Sequence, residues 1–227
     1  MSMGELTASI AHEINQPLTA IVTNGNAGLR WLTRDAPDLE EARRSLKHIV
    51  QDGMRASEVA GRIRAFSRKT VPHKTGLDVN DVVEETGALA QSEIHRHQIA
   101  LRLELATLPS VLGDRVQLQQ VILNLIMNGI EAMTHTMDRP RELLIRSTSH
   151  ASGQILVAVQ DCGIGLDPRH ANRLFDAFFT TKPEGMGLGL SISRRIIEAH
   201  GGRLWAAQNG EHGMTLSFSL PTGEEPV

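Results

Sequence analysis

Apolar and small residues recur at alternating steps of three and four along Leu39, Ala42, Leu46, Ile49, Gly53, Ala56, Ala60 and Ile63. That spacing is a sustained heptad seam, and it commits the segment to a long helix with one narrow apolar edge. The stretch before it, from about residue 4 to 33, is helical in pattern too. At about 100° per residue, Leu6, Ile10, Ile14 and Leu18 fall on one stripe. Arg34-Asp35-Ala36-Pro37-Asp38 reads as the turn between the two, with Pro where a first helical turn tolerates it. A two-helix hairpin of this length cannot bury its own seam. Residues 1–70 are therefore expected to dimerise into a four-helix bundle. Counting equal rises on antiparallel helices sets His12 level with residues 55–60, where the seam is smallest and the helices are expected to approach closely.

The periodicity then changes. Residues 71–76 carry Pro and Gly and read as a linker. Beyond it, helical patterns over 80–96, 114–136 and 190–200 alternate with strand patterns over 100–105, 142–149, 154–160, 203–207 and 215–220. The fold class expected is α+β, a helical hairpin followed by an α/β domain over 77–221 and a short tail at 222–227. A net charge of −3 gives no general basic surface for nucleic acid or anionic membrane. Aromatics at 3%, with no Tyr, argue against stacking platforms for single strands. No apolar run reaches the roughly 18 residues a membrane span needs, and no signal peptide is evident. A lone cysteine, Cys162, rules out an internal disulfide and suits a reducing cytoplasm.

Five constellations carry the chemistry. In Ala11-His12-Glu13-Ile14-Asn15-Gln16-Pro17, His12 and Gln16 share the helix face opposite the apolar stripe, with Glu13 beside the imidazole. An exposed His is ordinarily just a surface residue, but Pro17 costs a helix interior about 3 kcal/mol and needs a reason to sit there. Asn124 and Asn128 lie one turn apart amid Val, Ile, Leu and Met. Buried amides without partners are costly, so both are expected to face a polar ligand or a hard cation such as Mg²⁺. Asp161-Cys162-Gly163-Ile164-Gly165 follows a strand, leaving a carboxylate able to accept from an exocyclic amine beside glycines that admit a flat ligand. Gly185, Gly187 and Gly189 open a helix, a natural phosphate site, although neither a P-loop nor a Rossmann fingerprint is present. Between the glycine motifs, Phe175, Phe178, Phe179 and Lys182 read as a lid with aromatic anchors and one cation.

Together and in this order, these motifs resemble the sensor histidine kinases of bacterial two-component systems, in the branch that includes oxygen and dicarboxylate sensors. The resemblance runs from Gly4 to Pro221. It implies a dimerisation and phosphotransfer hairpin followed by a Bergerat-type α/β sandwich with a mixed sheet, shared with gyrase, heat-shock chaperone and mismatch-repair ATPases. It implies ATP and Mg²⁺, with His12 as phosphoacceptor, Glu13 as its base and Gln16 placing water for dephosphorylation of the partner. Asn128 would bind Mg²⁺, with Asn124 beside the phosphates. Asp161 would take the adenine amino group, with Gly163 and Gly165 around it and Thr215 close by. Lys182, Gly185, Gly187 and Gly189 would contact the triphosphate. Gly129 and Ala177 depart from the family's usual Ala and Pro without removing a polar ligand.

The activity implied is autophosphorylation of His12 and transfer to an aspartate of a response-regulator receiver domain, with phosphatase activity towards that partner as a companion. A gyrase- or chaperone-type ATP hydrolase is the first rival. Such enzymes carry a water-activating Glu where this chain has Asn124. A nucleotide-switched dimeric scaffold is the second, and the complete set of polar ligands argues against it. In this family the first helix normally continues upstream into a sensor, so a truncated, cytoplasmic piece is expected. The signal, the cognate regulator and the balance of kinase and phosphatase are not readable from the residues.

Overall fold

The computed structural model describes residues 3–50, 52–53, 73–150, 153–181, 187–210 and 212–223, with backbone only for 3–14, His150 and Pro168. The chain divides into two compact units, Met1–Lys69 and Thr70–Val227. Among the described residues, no helix is long and apolar enough to cross a membrane.

In the first unit, α1 spans Met3–Leu32 with Pro17 inside it, and α2 covers 39–50. Asp38 caps α2, its carboxylate accepting from Glu41 N at 3.1 Å. The helices meet through small residues. A Cβ on Gly28 would lie 3.3 Å from Ser45 Cβ, and one on Gly25 4.0 Å from Ile49. Asn24 Nδ2 donates to Asp52 Oδ2 at 3.3 Å. Among the described residues the close approach is at Gly28 and Ser45, and nothing lies within 4 Å of a Cβ at Gly53; the expected approach at 55–60 lies outside them. Ala56, Ala60 and Ile63, and the side chains of Leu6, Ile10 and Ile14, lie outside the described residues. The seam itself splits: Ala42 is buried, while Leu39 and Leu46 stay 63% and 57% exposed, as does Val50 beside it at 58%. Leu18, Val22, Leu29 and Leu32 of α1 are exposed as well.

The second unit sets helices against a five-stranded sheet. Its strands are β1 (Thr75–Leu77), β2 (Ala100–Leu105), β3 (Val111–Gly113), β4 (Glu142–His150), β5 (Gln154–Asp161), β6 (Arg203–Gln208) and β7 (Met214–Pro221). The sheet order is β2-β4-β5-β7-β6, with β1 and β3 forming a separate pair. Only β2 and β4 run parallel among the strand pairs described; the rest are antiparallel. The helices are α3 (Val79–Leu89), α4 (Gln91–Arg96), α5 (Arg115–Ala132) and α6 (Gly189–Ala199). One face of each central strand supplies the core. Leu143 and Ile145, Ile155, Val157 and Val159, and Leu216, Phe218 and Leu220 are buried against α5's Leu118, Ile122, Leu125 and Ile126.

The elements depart from the sequence reading at three ends. The pattern over 80–96 breaks into α3 and α4 at Ala90, whose N–H donates to Thr86 O at 3.0 Å. Thr75 and Gly76, read as linker, pair as β1 with Gly113 and Leu112. Their anchors are His73 N on Asp114 Oδ2 at 3.0 Å and Lys74 Nζ on Ala199 O at 2.8 Å. Helix α5 stops at Ala132 instead of Thr136: Thr134 N turns to Glu131 O at 3.2 Å instead of Ile130 O, and Arg141 holds the carbonyls beyond the end. Its guanidinium donates to Thr134, Thr136 and His97 carbonyls at 3.3, 2.9 and 2.9 Å.

The ends of α5 and α6 are tied to each other. His200 is buried at the foot of α6. Its Nε2 accepts from Asp114 N at 3.0 Å, and its Nδ1 lies 2.7 Å from Ile196 O. Since a carbonyl only accepts, the proton sits on Nδ1.

Candidate functional site

Asp161 ends β5 on the pleat phase of Val157 and Val159, so its carboxylate turns towards the helix layer and is only 5% exposed. Oδ1 accepts from Gly163 N at 2.8 Å and Met214 N at 3.3 Å. Glycine is required around it. A Cβ on Gly163 would collide with Ala132 O, and one on Gly213 with Asp161 O. Gly165 takes φ +71°.

Thr215 does not join this face. It pairs with Gln160 across the sheet, one residue out of phase with the buried Leu216, Phe218 and Leu220. Its hydroxyl donates to Asn209 Oδ1 at 2.6 Å, and Asn209 Nδ2 donates to Asp161 O at 2.9 Å. Thr215 thus braces the Asp161 backbone from the far side, and Met214 occupies the phase beside the carboxylate. Met214 and Asn209 escaped the sequence reading. The alternation of Leu216, Phe218 and Leu220 carried the signal for Met214.

Asn124 and Asn128 lie half-buried on α5. Asn128 Nδ2 donates to Asn124 O at 2.8 Å, and Asn124 Nδ2 donates to Ser193 Oγ at 3.0 Å. The other end of the Asn124 amide rests on Gly189, where a Cβ would collide with Asn124 Oδ1. Gly189 begins α6, and Leu188 at the cap makes no side-chain hydrogen bond to the helix. The Asn124 side chain therefore lies against the first residue of α6, at the positive end of that helix's dipole.

The lid residues close on the same end of α6. Phe178 adopts φ +67° and Gly187 φ +62°, and Phe178 N donates to Gly187 O at 2.9 Å. A side chain at Gly187 would strike Phe179 O. Phe175 packs against the core, with Arg194 Cζ 5.8 Å from its ring centroid. Arg173 Cζ stands 4.7 Å from the Phe179 centroid, a cation–π contact. Asp167 caps the short 3₁₀ helix Pro168–Arg173. The Arg169 guanidinium holds its carboxyl below the ordinary Asp range. Cys162 Sγ accepts from Glu142 N at 3.3 Å and lies 3.4 Å from Met133 Sδ, a packing role.

Lys182 and Gly185, and the side chains of His12 and Glu13, lie outside the described residues. The backbone at 12 and 13 is within α1, and Gln16 is exposed on the same helix.

Residues 113–224 match the family described as histidine kinase-, DNA gyrase B- and HSP90-like ATPase. Residues 2–71 match the His Kinase A (phospho-acceptor) domain. The catalytic domain of histidine kinase ThkA is 32% identical, with a TM-score of 0.59 over 66% of this chain and 96% of that one. The chain belongs to the sensor histidine kinases. Within them it is 38% identical to Sensor histidine kinase TmoS of Ectopseudomonas mendocina, over 97% of this chain and 23% of that protein. It is 39% identical to Sensor protein FixL of Bradyrhizobium diazoefficiens, over 99% of this chain and 44% of that protein. This histidine kinase chain thus spans less than half the length of the curated relatives it matches. The structure of ThkA in complex with response regulator protein TrrA aligns over 97% of this chain and 62% of that one, at 29% identity and a TM-score of 0.75. The oxygen- and dicarboxylate-sensor branch expected from the His-Glu-Ile-Asn-Gln-Pro motif fits these relatives, which also include C4-dicarboxylate transport sensor protein DctS of Rhodobacter capsulatus.

Proposed function

We propose that this chain is the catalytic core of an ATP-dependent protein-histidine autokinase, which phosphorylates His12 and passes the phosphoryl group to an aspartate of a receiver domain. One observation supports it above others: Asn124 of α5 meets the first turn of α6 at Gly189, in a chain whose other half matches a phosphoacceptor domain. The residues fit Mg·ATP at both ends. The inward Asp161 carboxylate offers an acceptor to the adenine amino group, and Gly163 and Gly165 admit a planar ring beside it. The amide of Gly187 and those of α6 from Gly189 onward suit phosphate oxygens. Lys182 and Gly185 join them on sequence grounds. The NH₂ of Asn128 donates to the backbone carbonyl of Asn124, and its Oδ1 would be the hard-cation donor for Mg²⁺. When bound, Mg²⁺ neutralises charge on the triphosphate.

In the transfer, a ring nitrogen of His12 bonds to the γ-phosphorus as the bond to the bridging oxygen breaks, releasing ADP. The proton on the other ring nitrogen passes to Glu13. Gln16, exposed one turn on, orients water when the phosphorylated receiver is hydrolysed. A second copy of the chain covers the exposed Leu39, Leu46 and Val50 together with Leu18, Val22 and Leu29, making the homodimer. A receiver-domain partner finds support in the ThkA complex with TrrA.

The test is incubation with Mg·ATP labelled on the γ-phosphate. Label stable to base and lost in acid is expected, as for phosphohistidine. His12→Gln should abolish it while nucleotide affinity stays nearly unchanged. Acid-stable label, or label kept by the variant, overturns the reading.

A further inference from the structure

Phe178 holds φ +67°, in the left-handed region that an aromatic residue enters only at a cost. Such a conformation persists where its surroundings over-determine it. Restraints lie on both sides. On one, Phe178 N donates to Gly187 O at 2.9 Å, and the bare α-carbon of Gly187 lies on the 178–179 peptide, where a Cβ would strike Phe179 O. On the other, the ring of Phe179 is gripped by the short helix Pro168–Arg173. Its centroid lies 5.4 Å from that of His170, the planes tilted by 57°, and Arg173 Cζ stands 4.7 Å from it. A 3₁₀ helix repeats every three residues, so His170 and Arg173 project from one edge and meet the same ring. The pairing of Arg173 with Asp176 is loose by comparison, 4.0 Å between exposed groups.

The grip on Phe179 bears on the entry to α6. In a trans peptide the carbonyl and the N–H point opposite ways, and the described residues contain no cis peptide. The bond that occupies Gly187 O therefore also fixes Leu188 N–H, directed away from Phe178. Gly187 holds φ +62° on the same seat, which sets its own amide. The donors leading into α6 thus take their directions from a peptide that Phe179 anchors, and Phe179 takes its place from His170 and Arg173.

We propose that Arg173 is a positioning residue for the phosphates: stacked on Phe179, it holds the 178–179 peptide against Gly187 and so keeps the amides of residues 187 and 188 in the directions that serve the triphosphate. The proposal rests on the Mg·ATP reading of this site. On this account Arg173 acts through the ring of Phe179 and not through its charge.

The experiment is a double-mutant cycle on the full chain, with wild type, Arg173→Met, Phe179→Leu and the two together. Dissociation constants for a non-hydrolysable ATP analogue with Mg²⁺, and for adenosine, are read by NMR titration. Arg173→Met should weaken the analogue about two- to fivefold, the scale of one exposed cation–π contact, and leave adenosine unchanged. In the Phe179→Leu background the same substitution should have no further effect. An equal loss in both backgrounds means that Arg173 acts on phosphate by its charge, and overturns the proposal. An equal loss for the analogue and for adenosine means a plain loss of structure, and overturns it too. Phe179 is partly buried; should the variants at 179 not fold, salt decides. The loss in Arg173→Met should persist at high salt, and a loss that vanishes there is long-range attraction and overturns the proposal. No analogue binding by wild type would instead sink the reading of the site itself.

Discussion

At the scale of the residue, the pleat of β7 decides which side chain meets the ligand. Thr215 looks like the polar contact in Gly213-Met214-Thr215, yet a strand sends neighbours to opposite faces, and Leu216, Phe218 and Leu220 fix the phase. The Asp161 carboxylate thus accepts from the backbone amides of Gly163 and Met214. Removing the Thr215 hydroxyl should loosen the Asn209 brace and cost about 1 kcal/mol of stability. In Thr215→Val, thermal denaturation should show the loss while ATP affinity, measured by calorimetry, changes less than about threefold. Asp161→Asn should do the reverse, costing tenfold or more in affinity because the acceptor for the amino group becomes an amide that also donates. A large affinity loss in Thr215→Val with Asp161→Asn unaffected would put the base on the other face of the sheet. Asn124 and Asn128 were legible because two amides in an apolar helix demand partners. Ser193 was not: a serine in an amphipathic helix looks the same whether it is solvated, capping or, as here, buried against an amide on another helix.

At the scale of the element, long periodic segments announced themselves and short ones did not. Helices α5 and α6 and strands β4, β5, β6 and β7 follow from period alone. Strands β1 and β3 are three residues each with a glycine in both, too short for any period to show, and they exist because His73 and Lys74 are anchored to α5 and α6. The end of α5 is not set by period: its last turn tightens at Thr134 N→Glu131 O, and Arg141, distant in sequence, holds the carbonyls that follow. The lid's 3₁₀ helix has a pH dependence of definite sign. The Asp167 carboxyl is lowered by hydrogen bonds from the Arg169 side chain and backbone, so the cap's contribution is complete above the unfolded Asp range and is lost as pH falls through the lowered folded value. Amide chemical shifts of Arg169 and His170 should stay constant near neutrality and move towards coil values under acid. Asp167→Asn should flatten that titration. A transition centred at or above the ordinary Asp range would contradict the Arg169 pairing.

At the scale of the whole molecule, the hairpin's exposed leucines are the face that the proposed second copy of the chain would cover. Ile49 packs towards Gly25 within the chain, whereas Leu46 and Val50 face outward. Leu46→Asp with Val50→Asp would bury unpaired charge in the four-helix assembly and should give monomers by sedimentation at micromolar concentration. Binding of ATP to the second unit should survive. A monomeric wild-type chain, or a dimer that tolerates both aspartates, removes the bundle from the account. The hydrogen bond from Phe178 N to Gly187 O has a different kind of consequence. It joins two points nine positions apart in the chain, so the stretch between them is closed at its neck whatever its length. Closure entropy grows only logarithmically, about 0.6 kcal/mol for each doubling of a flexible loop. A change of length between the two joined points is therefore expected to leave the hydrogen bond at the neck, and the bed of Gly189 against Asn124, in place.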